Sequence, residues 1–236
     1  MHIAVLRHGI YTAQRVSGVD GLAAPRATDV AYDRLTRSIV TLELEPGRLV
    51  NERELAERIG VTRLTLIPAL HRLSETGLIS VLPRRGVQVA PIHVTDVQQV
   101  FDARMTLEGG AAEMAARRAQ PEQVGQVRAL AIEVDRVVAG TSDYRVFLDH
   151  DRRLHLGIAE LCRNRFLIAA MERVWNVNLR LWYLYFRERG GVGPHYLDHE
   201  AVIDALAAGD PEAARGAMTH HIARSKELLQ SGLWGE

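Results

Sequence analysis

The sequence predicts a mainly α protein in two parts: a small N-terminal unit of short helices with a β-hairpin, and a C-terminal antiparallel bundle of six helices. Three observations predict it. Apolar residues recur at helical spacing through most of the chain after Thr28. Between Asn51 and Gly77, two short helical stretches meet at a glycine turn and lead into alternating apolar residues. From Thr95 onward every apolar pattern is helical, and the breaks are short and rich in Gly, Pro or Asn.

Residues 1–27 show no periodicity and contain Gly9, Gly18, Gly21 and Pro25, so they read as a flexible N-terminal arm. Within it, Arg7-His8-Gly9 follows a short apolar run and resembles the opening of the histidine phosphatases. That fold alternates strands and helices, and the rest of this chain does not. Ala31, Leu35, Ser38, Ile39 and Leu42 then mark a first helix, ended by Pro46-Gly47. Asn51 is the N-cap of a second, with Glu54 three residues on, an apolar stripe at Leu55 and Ile59, and Gly60 as its stop. A third helix spans 62–76, with Thr62 as N-cap, Leu66, Leu70 and Leu73 facing inward, and Gly77 at its end. Ile79 and Val81, then Val87 and Val89, alternate around the turn Pro83-Arg84-Arg85-Gly86. That is a hairpin with two arginines at its tip, a wing beside a helix-turn-helix. Pro91 closes a winged helix-turn-helix unit over residues 28–91. Helices over 95–119, 121–139, 143–162, 164–188, 196–208 and 211–231 make an all-helical domain over 92–236.

Composition sets broad limits. With 236 residues, 47% apolar and 25% charged, the chain is an ordinary globular protein with room for two domains. Cys162 is the single cysteine, which excludes an internal disulfide and suits a reducing compartment. No apolar run approaches a membrane span, and the N-terminus lacks the apolar segment of a secretion signal, so the expected location is the cytoplasm. Net charge is zero but unevenly spread. Residues 1–91 carry 12 Arg against 9 acidic residues, a net of +3, and residues 92–236 carry 17 basic against 20 acidic, a net of −3. That asymmetry alone does not identify a nucleic-acid binder. Lys226 is the only lysine among the 29 basic residues; arginine suits bidentate contact with phosphates and guanine edges, but genomic base composition is the main reading of this bias.

The stretch Leu35–Gly86 resembles the GntR family of bacterial repressors. The resemblance rests on Pro46-Gly47, Glu52, Leu55-Ala56, Gly60-Val61-Thr62-Arg63, Ala69-Leu70, Arg72-Leu73, Gly77-Leu78 and Pro83-Arg84-Arg85-Gly86, all in register. The helical remainder resembles the FCD ligand-binding domain of the FadR subfamily, and its six helices match the shorter, VanR-like group. The resemblance implies a homodimer on a palindromic double-stranded DNA operator, with the third helix in the major groove and the wing beside it. It implies duplex contacts from Arg53, Thr62, Arg63, Thr65, Arg72, Arg84, Arg85 and Gly86. One departure matters. Where the family has arginine followed by glutamate inside the recognition helix, this chain has Ile67-Pro68. Proline at that depth removes a backbone donor and crowds the preceding turn, which predicts a kink or a locally distorted turn. Readout then falls on Arg53, Arg63 and the wing, with Arg72 or Thr65 as substitutes.

In the second domain, Asp151 and His155 stand four apart on one helix face, a spacing at which a carboxylate and an imidazole can share a divalent metal. His199 and the pair His220-His221 supply further donors. The family pattern favours His221 and implies a site of Asp151, His155, His199 and His221. Three imidazoles and one carboxylate suit zinc, nickel, iron or manganese. The alternative is a set of core hydrogen bonds without metal. Arg104 lies on the apolar stripe of Val97, Val100, Phe101, Ala111 and Ala115, and a guanidinium facing a core needs an anion. That anion is either the carboxylate of a small effector, as the resemblance implies, or Glu108 one turn on. Asn164 matches a family asparagine near the pocket, or is simply an N-cap. The expected function is a regulator that changes operator affinity on binding a small carboxylate. The alternatives are a metalloenzyme using the same site, which lacks an obvious general base, and a metal-free regulator sensing through Arg104.

Overall fold

The computed structural model describes residues 26–140, 143–189 and 199–234. Nearly all of the expected arm, including Arg7-His8-Gly9, and the break at 190–194 lie outside the described residues. Contacts divide the chain between Ile92 and His93 into two compact units.

The first unit runs α1 (Ala27–Val40), β1 (Leu49–Val50), α2 (Glu52–Ile59), α3 (Arg63–Glu75), β2 (Ile79–Leu82) and β3 (Gly86–Val89). Leu35, Ile39, Leu66, Leu70, Leu73, Val87 and Val89 close its core. Local chemistry starts the helices where the sequence predicts. Asn51 Oδ1 accepts from Glu54 N at 2.8 Å, and Thr62 Oγ1 accepts from Thr65 N at 3.3 Å. Each such cap is worth about 1 kcal/mol. The Glu54 carboxylate does not close a capping box; it takes Arg48 at 2.8 Å. Gly60, in the left-handed region at φ 73°, ends α2 and makes the turn into α3.

Two features depart from the sequence reading. The hairpin gains a third strand: β1 pairs antiparallel with β3, Leu49 opposite Gln88, giving the order β1-β3-β2. Two residues are too few to show alternation, so no pattern reveals them. The second departure is Pro68. α3 stays α-helical from Arg63 to Glu75 with Pro68 inside it, so the expected distortion does not break the helix. Pro68 faces solvent, and the inner face is held by Leu66, Ala69, Leu70 and Leu73. The Leu64 carbonyl loses its usual donor four residues on, and it does so at an exposed residue.

The second unit has six helices among the described residues: α4 (Val94–Arg118), α5 (Pro121–Gly140), α6 (Tyr144–Leu161), α7 (Arg165–Arg189), α8 (Glu200–Ala208) and α9 (Pro211–Trp234). They lie within a few residues of the expected spans. α4 is the central helix and packs on α6, α7, α8 and α9. Its most extensive packing is against α9. A Cβ on Gly109 would stand 2.8 Å from Thr219 Cγ2, so a side chain there would displace Thr219 from the face of α4. This bundle buries charge. Arg104, Glu108, Asp151, Arg152, Arg180, His155, His199 and His221 are all inside it, although such groups are seldom buried without partners.

Candidate functional site

The helical unit brings the predicted metal ligands together. α6 carries Asp151 and His155 on its inner face, one turn apart. His199 sits at the N-cap position of α8 but makes no capping bond, which leaves its ring for the interior. His221 comes from the middle of α9. One nitrogen from each of His155, His199 and His221 lies within 4.8 Å of the other two. His155 Nε2 is 3.4 Å from His199 Nε2, and Asp151 Oδ1 is 3.3 Å from His199 Nε2 and 3.7 Å from His155 Nε2.

The surroundings prepare these groups as ligands. Glu108 Oε2 lies 2.5 Å from His155 Nδ1. With the proton on Nδ1, the Nε2 lone pair is left facing the other donors, the carboxylate–histidine arrangement typical of metal ligands. Burial pushes the Glu108 carboxyl up, but Arg104 and His155 outweigh it and bring it down to about 2. Burial also raises Asp151, and His155, His199 and Arg104 together more than reverse that, so it stays ionised. Burial, then His199, His155, Arg104 and His220, hold His221 well below its ordinary value, which keeps its ring neutral. Asp151 Oδ1 and His199 Nδ1 are buried without a hydrogen-bond partner. Orphaned polar atoms of this kind cost free energy unless something satisfies them. The converging imidazoles of His155, His199 and His221, with the ionised Asp151 carboxylate and its orphaned oxygen beside them, fit a divalent transition metal.

Arg104 takes the intramolecular partner. Its Nε donates to Glu108 Oε1 at 2.6 Å and its Nη1 to Asn178 Oδ1 at 3.2 Å. The guanidinium also lies over the Trp175 ring at 4.5 Å. It remains in the wall of a small cavity with Phe147, Asp151, Trp182, His221, Ser225 and Leu228. Asn164 is placed as the cap: its Oδ1 accepts from Phe166 N and Leu167 N at 3.2 and 3.3 Å, and it is not in that wall.

The first unit presents a different surface. Arg53 and Arg63 are 88% and 71% exposed, and both arginines at the wing tip face solvent. Arg63 Nε pairs with Glu52 at 2.8 Å, which joins the start of α3 to the start of α2. Arg72 is tied to α1 instead: it donates to Asp29 at 2.7 Å and covers the Tyr32 ring at 4.1 Å. Thr62 and Thr65 share a hydroxyl contact at 3.0 Å at the opening of α3. Gly86 is constrained by its own sheet, because a Cβ there would meet the Val50 carbonyl at 2.5 Å.

Residues 27–89 match the family described as bacterial regulatory proteins, gntR family, and residues 99–224 match the FCD domain. The chain belongs to the GntR family, with an FCD domain as its helical part. It is a ligand-responsive, DNA-binding transcriptional regulator of that family. It is similar to the Uxu operon transcriptional regulator of Escherichia coli (strain K12), 30% identical over 223 residues that cover 81% of this chain and 82% of that protein. It is also similar to the Uxu operon regulator of Haemophilus influenzae, 28% identical over 199 residues, 77% of this chain and 73% of that one. Among solved structures, E. coli McbR/YncC shares the fold at 19% identity and TM-score 0.78, covering 88% of this chain and 99% of that one. Within this GntR-family site, sequence reasoning missed Asn178 and Trp175 as partners of Arg104. Both sit in a helix crowded with aromatic residues, and no spacing marks an asparagine as the acceptor for an arginine 74 positions away.

Proposed function

We propose that the chain is a homodimeric cytoplasmic regulator whose FCD domain, of the VanR-like group, senses a small carboxylate at a divalent transition metal. Asp151, His155, His199 and His221 hold the metal, and Arg104 gives the neighbouring cavity wall a positive charge. The carrying observation is the convergence of the imidazoles within 4.8 Å, with Glu108 fixing the tautomer of His155. When bound, the metal supplies a Lewis-acid centre for an anionic oxygen. Burial keeps the His221 ring neutral, and Glu108 orients that of His155. Effector binding then favours one arrangement of the protein over another and changes operator affinity by the difference in effector affinity between the two. A two-fold dimer gives a palindromic operator.

The metalloenzyme reading has less support. The carboxylate nearest the ligands is Glu108, and it is already committed to Arg104 and His155. Sensing without metal through Arg104 alone has less support too, because Glu108 already takes Arg104 Nε. The test is metal content after purification without chelator, followed by operator gel shifts with and without added small carboxylic acids. The expected result is about one transition metal per chain, near none in His155→Ala, and a carboxylate-dependent shift only in the metal-bearing protein. A metal-free wild type with an intact carboxylate response sinks the metal and leaves a regulator sensing through Arg104.

A further inference from the structure

α3 has apolar residues on its outer side as well as on its inner one. Its inner side packs in the core, and its outer side carries Leu64, Ile67, Pro68 and His71 at helical spacing with no charged residue among them. Leu64 is 85% exposed, Pro68 and His71 are exposed, and Ile67 is half-buried. A single exposed leucine needs no explanation. Leu64 and Pro68 exposed one turn apart, with half-buried Ile67 beside them, on the helix that enters the groove, do. Leu64 is the second residue of α3, at the N-terminal end that meets base edges in a helix-turn-helix. The same unit carries exposed basic side chains: Arg63 precedes Leu64 on α3, Arg53 is the second residue of α2, and Arg84 and Arg85 lie at the wing tip. An apolar centre with basic flanks complements a major groove, where phosphates line the edges and the floor carries one apolar feature, the C5 methyl of thymine. Leucine, isoleucine and proline side chains offer no donor or acceptor to guanine O6 and N7 or to adenine N6 and N7.

We infer that α3 reads thymine methyl groups: Leu64, Ile67 and Pro68 contact them, and each operator half-site carries A·T pairs where the start of α3 enters the groove. This rests on the DNA-binding reading of the first unit, and the experiment separates the two. Duplexes are selected from a random pool with the full-length protein. Binding is then measured at fixed salt with each thymine replaced in turn by deoxyuridine, which removes only the methyl. Burying one methyl corresponds to a loss of about fourfold in affinity, expected at one to three positions per half-site. In Leu64→Ala or Ile67→Ala, at least one of these losses shrinks to within about twofold, because the partner side chain is already gone. Leu64 is exposed and Ile67 half-buried, and the deoxyuridine scan on the unchanged protein needs no variant to fold. Affinity indifferent to every replacement overturns the inference while leaving the regulator intact. Losses that persist undiminished in both variants also overturn it, since they then report DNA shape. Absence of any sequence-preferring duplex binding sinks the regulator reading, and the inference with it.

Discussion

The two units differ in where they place charge: both carry surface ion pairs, and only the second buries a charged network among the described residues. In the first, the ion pairs of Arg48 with Glu54, Arg53 with Glu57, Arg63 with Glu52 and Arg72 with Asp29 all lie at the surface, over a core of aliphatic side chains. In the second, Arg104, Glu108, His155 and Asp151 form a connected polar chain inside the bundle. The difference follows what each unit must meet. A duplex is a large polyanion that presents its charge from outside, so surface arginines in weak pairs can exchange their carboxylates for phosphates at little cost. A small effector or a metal must be enclosed, so its partners are desolvated in advance and held by one another. The first unit keeps its charges available, and the second keeps its charges positioned.

Breaking one member of the buried chain tests that contrast most severely. Glu108→Ala leaves the Arg104 guanidinium buried without its closest anion and frees His155 Nδ1. The expected loss is about 3–5 kcal/mol of stability in the helical unit. Glu52→Ala, which breaks an exposed pair in the first unit, is expected to cost no more than about 0.5 kcal/mol. Tryptophan fluorescence during urea unfolding reads the first variant cleanly, because all three tryptophans lie in the second unit. Equal losses in the two variants dissolve the comparison.

Acid sharpens the same contrast. The folded Glu108 carboxyl is lowered to about 2 from an ordinary 4.5, so its contribution is complete above pH 4.5 and is lost as pH falls from there toward 2. His221 is held well below its ordinary 6.5 in the folded state. The unfolded chain therefore takes up that proton first, and stability falls as pH drops below 6.5. In chelator-treated protein, the tryptophan-reported urea midpoint should decline in two stages, first below pH 6.5 and again below pH 4.5. In Glu108→Gln the second stage shrinks and the first persists. A midpoint flat from pH 7 to 4 contradicts the buried, neutral placement of His221.

In the first unit the sensitive points are steric. Gly86 sits at φ 109° with the Val50 carbonyl 2.5 Å from where a Cβ would stand. Gly86→Ala is expected to cost about 1–3 kcal/mol through backbone strain and separation of β1 from β3. The readout is thermal unfolding of the full chain followed by backbone circular dichroism, with the tryptophan signal unchanged. A shift in the tryptophan signal instead would place the damage in the wrong unit.

Much of this arrangement is legible in the sequence because local chemistry carries it. Asn51 and Thr62 announce their helices, Gly60 announces the turn, and the paired valines announce the wing. The metal ligands are legible for a different reason: Asp151 and His155 share a turn, so one observation fixes their relation, and family resemblance brings in His199 and His221. What the sequence hides is whatever depends on tertiary register. β1 is two residues long and gains its identity only from β3. Arg72 has the right type and position for a phosphate, yet Asp29 and Tyr32 of α1 claim it. Gly86 fits a pattern of wing residues, but its glycine is demanded by the Val50 carbonyl. Asn178 meets Arg104 only because α7 packs on α4. For Arg104 itself the sequence leaves Glu108 and a ligand carboxylate both open, and in the structure the i,i+4 spacing on α4 puts Glu108 on its Nε.

The smallest expected effect on stability carries the most information about the exposed unit. Arg63 is 71% exposed and shares a surface pair with Glu52. Removing it should leave the folded state within about 0.5 kcal/mol of the parent. If Arg63 exchanges Glu52 for a phosphate on the duplex, Arg63→Ala weakens binding by a similar factor across sequences and lowers the slope of log affinity against log salt by about 0.9. If it reads a base instead, the slope changes little and discrimination at one base pair falls by about 1–3 kcal/mol. Anisotropy titrations at several salt concentrations, on a selected duplex and on a scrambled one, separate the two outcomes. No change in either quantity removes Arg63 from the interface and leaves Arg53 and the wing to supply the charge. In Glu52→Ala the same titrations should show slightly tighter binding, because the arginine no longer has to leave a partner before it meets the DNA.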